Sequence, residues 1–161
     1  MNRAKDEKIK VGKGNITINH LVDRNDSDYN DIYRCANFFA AKGNEVTITP
    51  KISRRTKFRY DTYYGSLKGT KYYGKCPDLK VGDNWYELEG FTKNNPKRNF
   101  RNMMNNGLKQ SDRLIIMEPK LTERYMKHCI EERIKIGQQI NEIWLKDKEG
   151  NITLLYKKTD G

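Results

Sequence analysis

Cysteine, histidine and long apolar runs are scarce in this sequence, and its acids are well outnumbered by its bases. Its 161 residues include three cysteines, Cys35, Cys76 and Cys129, and two histidines, His20 and His128. An odd number of cysteines with no CxxC pair fits neither a disulfide frame nor a zinc site. The three thiols therefore read as reduced, small hydrophobes. No apolar stretch approaches the roughly 20 residues needed to cross a bilayer. The opening MNRAKDEKIK is charged and lacks the apolar segment of a secretory signal. No membrane association is expected. Acids are outnumbered, 21 against 32 Lys and Arg, which leaves a net charge of +11. Such an excess points to a polyanion, and to nucleic acid first, through release of condensed counterions. An anionic membrane surface competes as a partner, but no basic amphipathic helix with an aromatic face is visible. A solvated surface that keeps the chain soluble is the plainer alternative.

What is present alternates between strand and helix patterns. Residues 1–13 are basic and are expected to be a flexible tail. NITINHLV (15–22) alternates and predicts a strand, with Ile16, Ile18 and His20 on one face. Ser27 or Asp28 then caps a helix over 29–42, in which Ile32, Cys35, Ala36 and Phe39 form one stripe and Gly43 ends it. EVTITP (45–50) is a strand closed by Pro50. Past residue 90, Asn95 and Pro96 start a helix with Phe100, Met103, Met104 and Leu108 inward. RLIIM (113–117) predicts a central strand, and Thr122 caps a helix over 123–135. Tyr125, Met126, Cys129, Ile130 and Ile134 point inward there, with His128 on the charged outer face. INEIWLK and NITLLYK flank DKEG as a closing β-hairpin. The expected architecture is mixed α/β (α+β), a central mixed sheet flanked by about three helices, in a single domain over 1–161.

Residues 51–75 stand apart. Lys51, Arg54, Arg55, Lys57, Arg59, Lys68, Lys71 and Lys75 face one acid, Asp61, with Tyr60, Tyr63, Tyr64, Tyr72 and Tyr73 interleaved. Periodicity is poor, so a long loop or irregular hairpin is expected. Cations hold phosphates and tyrosine rings stack on unpaired bases, which favours RNA over DNA. The expected nucleic-acid contacts are Arg54, Arg55, Lys57, Arg59, Tyr63, Tyr64, Lys68, Lys71, Tyr72 and Lys75. A flap whose tyrosines cover the sheet edge is the structural alternative.

KCPDLKVGDNWYELEG (75–90) carries the chemistry. It reads as two short strands around a Gly-Asp-Asn turn, with Asp78 on the first and Glu87 and Glu89 on the same face of the second. Three neighbouring carboxylates repel one another unless a cation lies between them, and their oxygens suit Mg²⁺ or Mn²⁺. A metal there would polarise a phosphoryl oxygen and lower the pKa of a bound water. Lys75, Lys80 or Lys109 would supply a positive partner for the phosphate. An edge hairpin whose acids face solvent or pair with lysines fits the same residues. A metal-independent RNase using His20 or His128 is a further alternative.

Pro77-Asp78 followed by Glu87-Leu88-Glu89 resembles the PD-(D/E)XK nuclease signature, and the element order over 29–117 is similar to that superfamily's restriction-endonuclease-like core. Glu89 stands where most members have lysine. More narrowly, EVTITP, GKCPDLKVGDNWYELEGF, NNGLKQSDRLIIM and the closing hairpin resemble the C-terminal tRNase domains of bacterial contact-dependent inhibition and polymorphic toxins. That resemblance implies metal binding by Asp78 and Glu87, with Glu89 as ligand or base. It implies that Lys109 and Gln110 approach the scissile phosphate, and that residues 51–75 hold RNA. The implied protein is an Mg²⁺- or Mn²⁺-dependent RNase toxin domain with an acidic immunity partner. It would act in the cytoplasm, or in the cytoplasm of a target cell as part of a larger toxin. A catalytically inactive nucleic-acid-binding module of the same fold is the alternative.

Overall fold

The computed structural model describes residues 5–90 and 96–159. The chain forms two compact units, Met1–Trp85 and Tyr86–Gly161, where the sequence suggested one domain. Among the described residues, eight strands in mixed parallel and antiparallel pairing, with four α-helices, place the protein in the α+β class.

The first unit opens with β1 (Glu7–Val11) and β2 (Gly14–Ile18), an antiparallel hairpin. This corrects the expectation of a flexible tail over 1–13: residues 7–11 are a paired strand, with Ile9 opposite Ile16. Lys and Glu on an edge strand face water and leave the ladder intact, so charge alone misled. Helix α1 (Tyr29–Ala41) carries the chain to β3 (Glu45–Ile48), parallel to β2. β4 (Leu79–Val81) pairs antiparallel with β3, Ile48 opposite Leu79. The predicted stripe of Ile32, Cys35, Ala36 and Phe39 is buried, together with Ile16, Ile18, Val46, Ile48 and Leu79 from the strands. Gly14 is needed because a Cβ there would lie 2.3 Å from the carbonyl oxygens of Ala40 and Asn44.

Residues 51–75 are more regular than expected. Helix α2 (Lys57–Tyr64) and a 3₁₀ turn at Gly65–Leu67 occupy its middle. Tyr60, Tyr64, Leu67, Tyr72 and Trp85 form a buried aromatic cluster of their own. Tyr60 stacks on Tyr64 and Tyr64 on Trp85, at ring-centroid separations of 5.1 and 5.0 Å. Their hydroxyls are tied to backbone: Tyr60 Oη donates to the Lys75 carbonyl at 2.6 Å and Tyr64 Oη to the Pro50 carbonyl at 2.6 Å. Burial raises the Tyr64 phenol well above its ordinary pKa, which keeps it a donor.

β5 (Asn84–Gly90) begins at the end of the first unit and continues into the second. There, α3 (Pro96–Gly107) leads to β6 (Arg113–Met117), and α4 (Glu123–Lys135) leads to the hairpin of β7 (Glu142–Lys146) and β8 (Ile152–Lys157). β6 pairs parallel to β5 and to β7, the central position its apolar run implied. Thr122 Oγ1 accepts from Tyr125 N at 3.2 Å, the expected cap. The Asn95 cap lies outside the described residues. Phe100, Met103, Met104 and Leu108 are buried as predicted, whereas Ile134 in the last turn of α4 is 38% exposed.

Gly107 has a steric role. A Cβ there would sit 2.9 Å from Glu89 Cγ and 2.9 Å from a methyl of the buried Leu114. In a free helix Gly→Ala stabilises by up to about 1 kcal/mol. Here Gly107→Ala is expected to destabilise by about 1–3 kcal/mol through overpacking. A urea titration that finds the variant as stable as its parent would remove this role.

Candidate functional site

Asp78 precedes β4 directly, after the buried Pro77 and beside the end of β3 where the chain turns out as Thr49-Pro50-Lys51. Lys51 returns across this end. Its Nζ donates to Asp78 Oδ1 at 2.6 Å and to the Cys76 carbonyl at 2.9 Å. The Asp78 side chain is only 12% exposed, so the ion pair sits at a half-buried carboxylate rather than in open water. Both residues line a cleft of about 280 Å³ whose walls include Asp28 and the apolar Tyr29, Ile32 and Ile48.

Asp28 is the N-cap of α1, yet its side chain makes no cap hydrogen bond. Its carboxyl is held above its ordinary pKa by burial, then by the charges of Asp26 and Asp78, with Lys51 opposing. A raised carboxyl pKa gives stability that is complete below the unfolded pKa and is lost as pH rises through the folded one. Asp28→Asn should therefore raise the melting temperature at pH 7 by about 1–2 °C and leave it unchanged near pH 3.5. A thermal melt showing the same difference at both pH values would argue against strain at this carboxylate.

Glu87 and Glu89 lie in the second unit on β5, opposite Leu114 and Ile116 of β6, and both are half-buried. The i, i+2 spacing places them on one face, as read from the sequence. Glu89 Cγ rests against Gly107. The turn after α3 carries Lys109, which is exposed, and Gln110, whose N–H donates to the Gly107 carbonyl at 2.9 Å. Glu89 thus shares the α3 C-terminus with the Lys109–Gln110 turn. Asp78 belongs to the first unit. Among the described residues, no three His, Cys, Asp or Glu side chains are grouped closely enough to hold a metal ion.

The expected RNA contacts divide. Tyr64 is fully buried and Tyr72 is 7% exposed, which corrects their assignment as base-stacking groups: their rings are core. Tyr63 packs partly buried against the same cluster. Arg54 lies over the Tyr73 ring, its guanidinium 5.8 Å from the centroid, and Lys71 over Tyr72 at 5.3 Å. Lys68 pairs with Asp61 at 3.2 Å, and Tyr73 Oη donates to the same carboxylate at 2.5 Å. The Tyr73 hydrogen bond, more than Lys68, holds Asp61 below the ordinary carboxylate pKa. The one acid of this segment is thereby spent on Lys68 and Tyr73. Arg55, Lys57, Arg59 and Lys75 are exposed.

Lys51, Asp28 and Phe58 are not among the site residues expected from the sequence. Lys51 was counted only as bulk charge, and its partner became visible only when β3 and β4 were paired. Asp28 was read as a cap. Phe58 was overlooked on α2 and is 89% exposed. Helical spacing was the available signal for it: with Tyr60 and Tyr64 inward, Phe58 falls on the opposite face.

No protein-family model and no curated protein matches the chain. Among solved structures it is similar to a CdiA-CT/CdiI toxin and immunity complex from Burkholderia pseudomallei. The identity is 16% and the TM-score 0.49, over 81% of this chain and 85% of that one. A likeness of this size transfers no residue role. No helix among the described residues is long and apolar enough to cross a membrane.

Proposed function

We propose that this chain is a divalent-metal-dependent phosphodiesterase acting on RNA. The observation that carries the reading is the Asp78–Lys51 pair, 2.6 Å apart, in a cleft shared with Asp28. It lies in the same unit as α2 and the residues before it, where Arg55, Lys57 and Arg59 have no ion pair among the described residues. Mg²⁺ is commonly held by one or two carboxylates, with waters and substrate phosphate completing its shell, so Asp78 and Asp28 are a donor set of the right hardness and number. When bound, such an ion supplies Lewis acidity toward a phosphoryl oxygen and an acidified water. Lys51 neutralises Asp78 in the resting protein and offers its ammonium to a phosphate when substrate enters. The exposed arginines and lysines of 54–75 hold the strand. Glu87 and Glu89 remain the motif's expected ligands, and each is open to its own substitution test.

A role as a toxin domain, with an acidic immunity partner and action in a target-cell cytoplasm, is part of this proposal on the strength of the sequence resemblance. A binding module without catalysis is the second reading. It is favoured by Lys51, which already balances Asp78 without an ion, and by Glu89 at the usual lysine position.

The deciding experiment incubates the protein with tRNA, single-stranded RNA and duplex DNA, in Mg²⁺ or Mn²⁺ and in chelator. Metal-dependent cleavage of RNA is expected. Salt-sensitive binding without cleavage selects the binding module, and cleavage that survives chelator removes the metal from the mechanism.

A further inference from the structure

We infer that Phe58 is a stacking platform for an unpaired nucleobase, with Arg55, Lys57 and Arg59 holding the flanking phosphates. The inference rests on the nucleic-acid reading above and narrows it: the ligand is a strand with unpaired bases, not a duplex recognised through its backbone alone.

A phenylalanine in water is costly, at roughly 25 cal/mol per Å² of apolar surface. Phe58 is nevertheless 89% exposed, while Tyr60 and Tyr64 of the same helix are fully buried. Its neighbours on the outer side are cations: Arg55, Lys57 and Arg59 are all exposed and, among the described residues, none is in an ion pair. An exposed apolar ring in a segment carrying three exposed cations disfavours a second basic copy of this chain. It suits a ligand with a flat π-face and regularly spaced negative charges, as an unpaired polynucleotide has. Duplex bases are already stacked and offer no face to the ring.

The platform is also rigid. Tyr60 is held by two hydrogen bonds, donating to the Lys75 carbonyl and accepting from Gly74 N at 2.7 Å. Tyr64 is held by Pro50 and Thr49. The helix presenting Phe58 is thus clamped from beneath, so little backbone order is lost on binding. Tyr64, one of the tyrosines expected from the sequence to stack on a base, instead helps to build this support.

The test is binding in chelator, which blocks metal-dependent cleavage. The probes are a 12-mer single strand of RNA carrying one 2-aminopurine, the same sequence as DNA, and its RNA duplex. Phe58→Ala is expected to weaken single-strand binding roughly 5- to 100-fold with an unchanged salt slope, and to relieve 2-aminopurine quenching. Phe58→Trp should retain both. Arg55→Ala with Lys57→Ala and Arg59→Ala should weaken single-strand and duplex binding alike and flatten the salt slope. If Phe58→Ala binds single strands as tightly as the parent, or loses duplex affinity equally, the stacking role is wrong while RNA binding stands. If the parent binds none of the three probes, the nucleic-acid reading itself falls, and the exposed ring belongs to a protein partner. Equal loss on RNA and DNA single strands supports stacking without selection for ribose.

Discussion

Asp78→Asn is expected to lower metal-dependent RNA cleavage by about a hundredfold or more while leaving the fold intact. Charge stabilisation by a bound metal is worth several kcal/mol at the transition state, and each 1.4 kcal/mol is tenfold in rate. Asn keeps the shape and one acceptor oxygen but removes the negative charge that a hard cation needs. The stability side separates this effect from misfolding. Lys51 is 57% exposed, so losing its ion pair with Asp78 should cost within about 1 kcal/mol. A rate loss with a preserved melting curve therefore reports chemistry. Glu87→Gln and Glu89→Gln in the same assay show which motif acids share the role. If Asp78→Asn cleaves at the parent rate, the cleft is not the reaction centre and the Asp78–Lys51 pair is only structural.

The largest effect on stability is expected at Glu142. It is 7% exposed and accepts hydrogen bonds from three side chains, with the single Tyr86 hydroxyl proton shared between its two oxygens. Tyr86 Oη reaches both of its oxygens at 2.9 Å, Arg113 Nε one at 2.6 Å and Trp144 Nε1 the other at 3.0 Å. The Tyr86 phenol is pushed above its ordinary pKa, first by burial and then by the Glu142 charge, so it stays a donor across the accessible pH range. Glu142→Ala removes the acceptor of Arg113 Nε, Tyr86 Oη and Trp144 Nε1 from an interior site, although the Arg113 guanidinium, 23% exposed, keeps Asp112 at 3.2 Å. Breaking a buried pair in this way costs about 3–5 kcal/mol. That lowers the melting temperature by about 10 °C for a chain of this size. Glu142→Gln should fall between, because it accepts hydrogen bonds but no longer balances Arg113. Replacing Arg113 with Met in the Ala background should recover part of the loss, since the under-compensated guanidinium, left with Asp112 alone, is then gone. A urea midpoint for Glu142→Ala within experimental scatter of the parent would mean that water replaces the carboxylate at little cost.

Local pattern was enough wherever one face of an element is apolar and the other wet. The α1 stripe, the α4 span with its Thr122 cap, the central β6 run and the closing hairpin are all readable from spacing. So is the pairing of Glu87 and Glu89 on one face of β5, because a strand alternates regardless of its surroundings. Residues 7–11 were not readable: an edge strand with lysines outward carries almost no apolar signal, and its pairing with β2 supplies the order.

Only tertiary structure decided the rest. Tyrosine in a basic segment is equally compatible with stacking on a base and with burial, and the choice depends on whether carbonyls such as those of Lys75 and Pro50 come within reach of the phenols. Asp78 and Lys51 are 27 residues apart, and their pairing follows from the antiparallel register of β3 and β4. Asp28 looked like a cap because its type and place are those of a cap. Its side chain makes no cap hydrogen bond, and the residue lines the cleft together with Asp78. The acids, the excess positive charge and the helical and strand periods are properties of the chain itself, set by side-chain type and backbone geometry. Which acid meets which base, and which tyrosines are drawn into the core, are set by long-range pairing that no local pattern encodes.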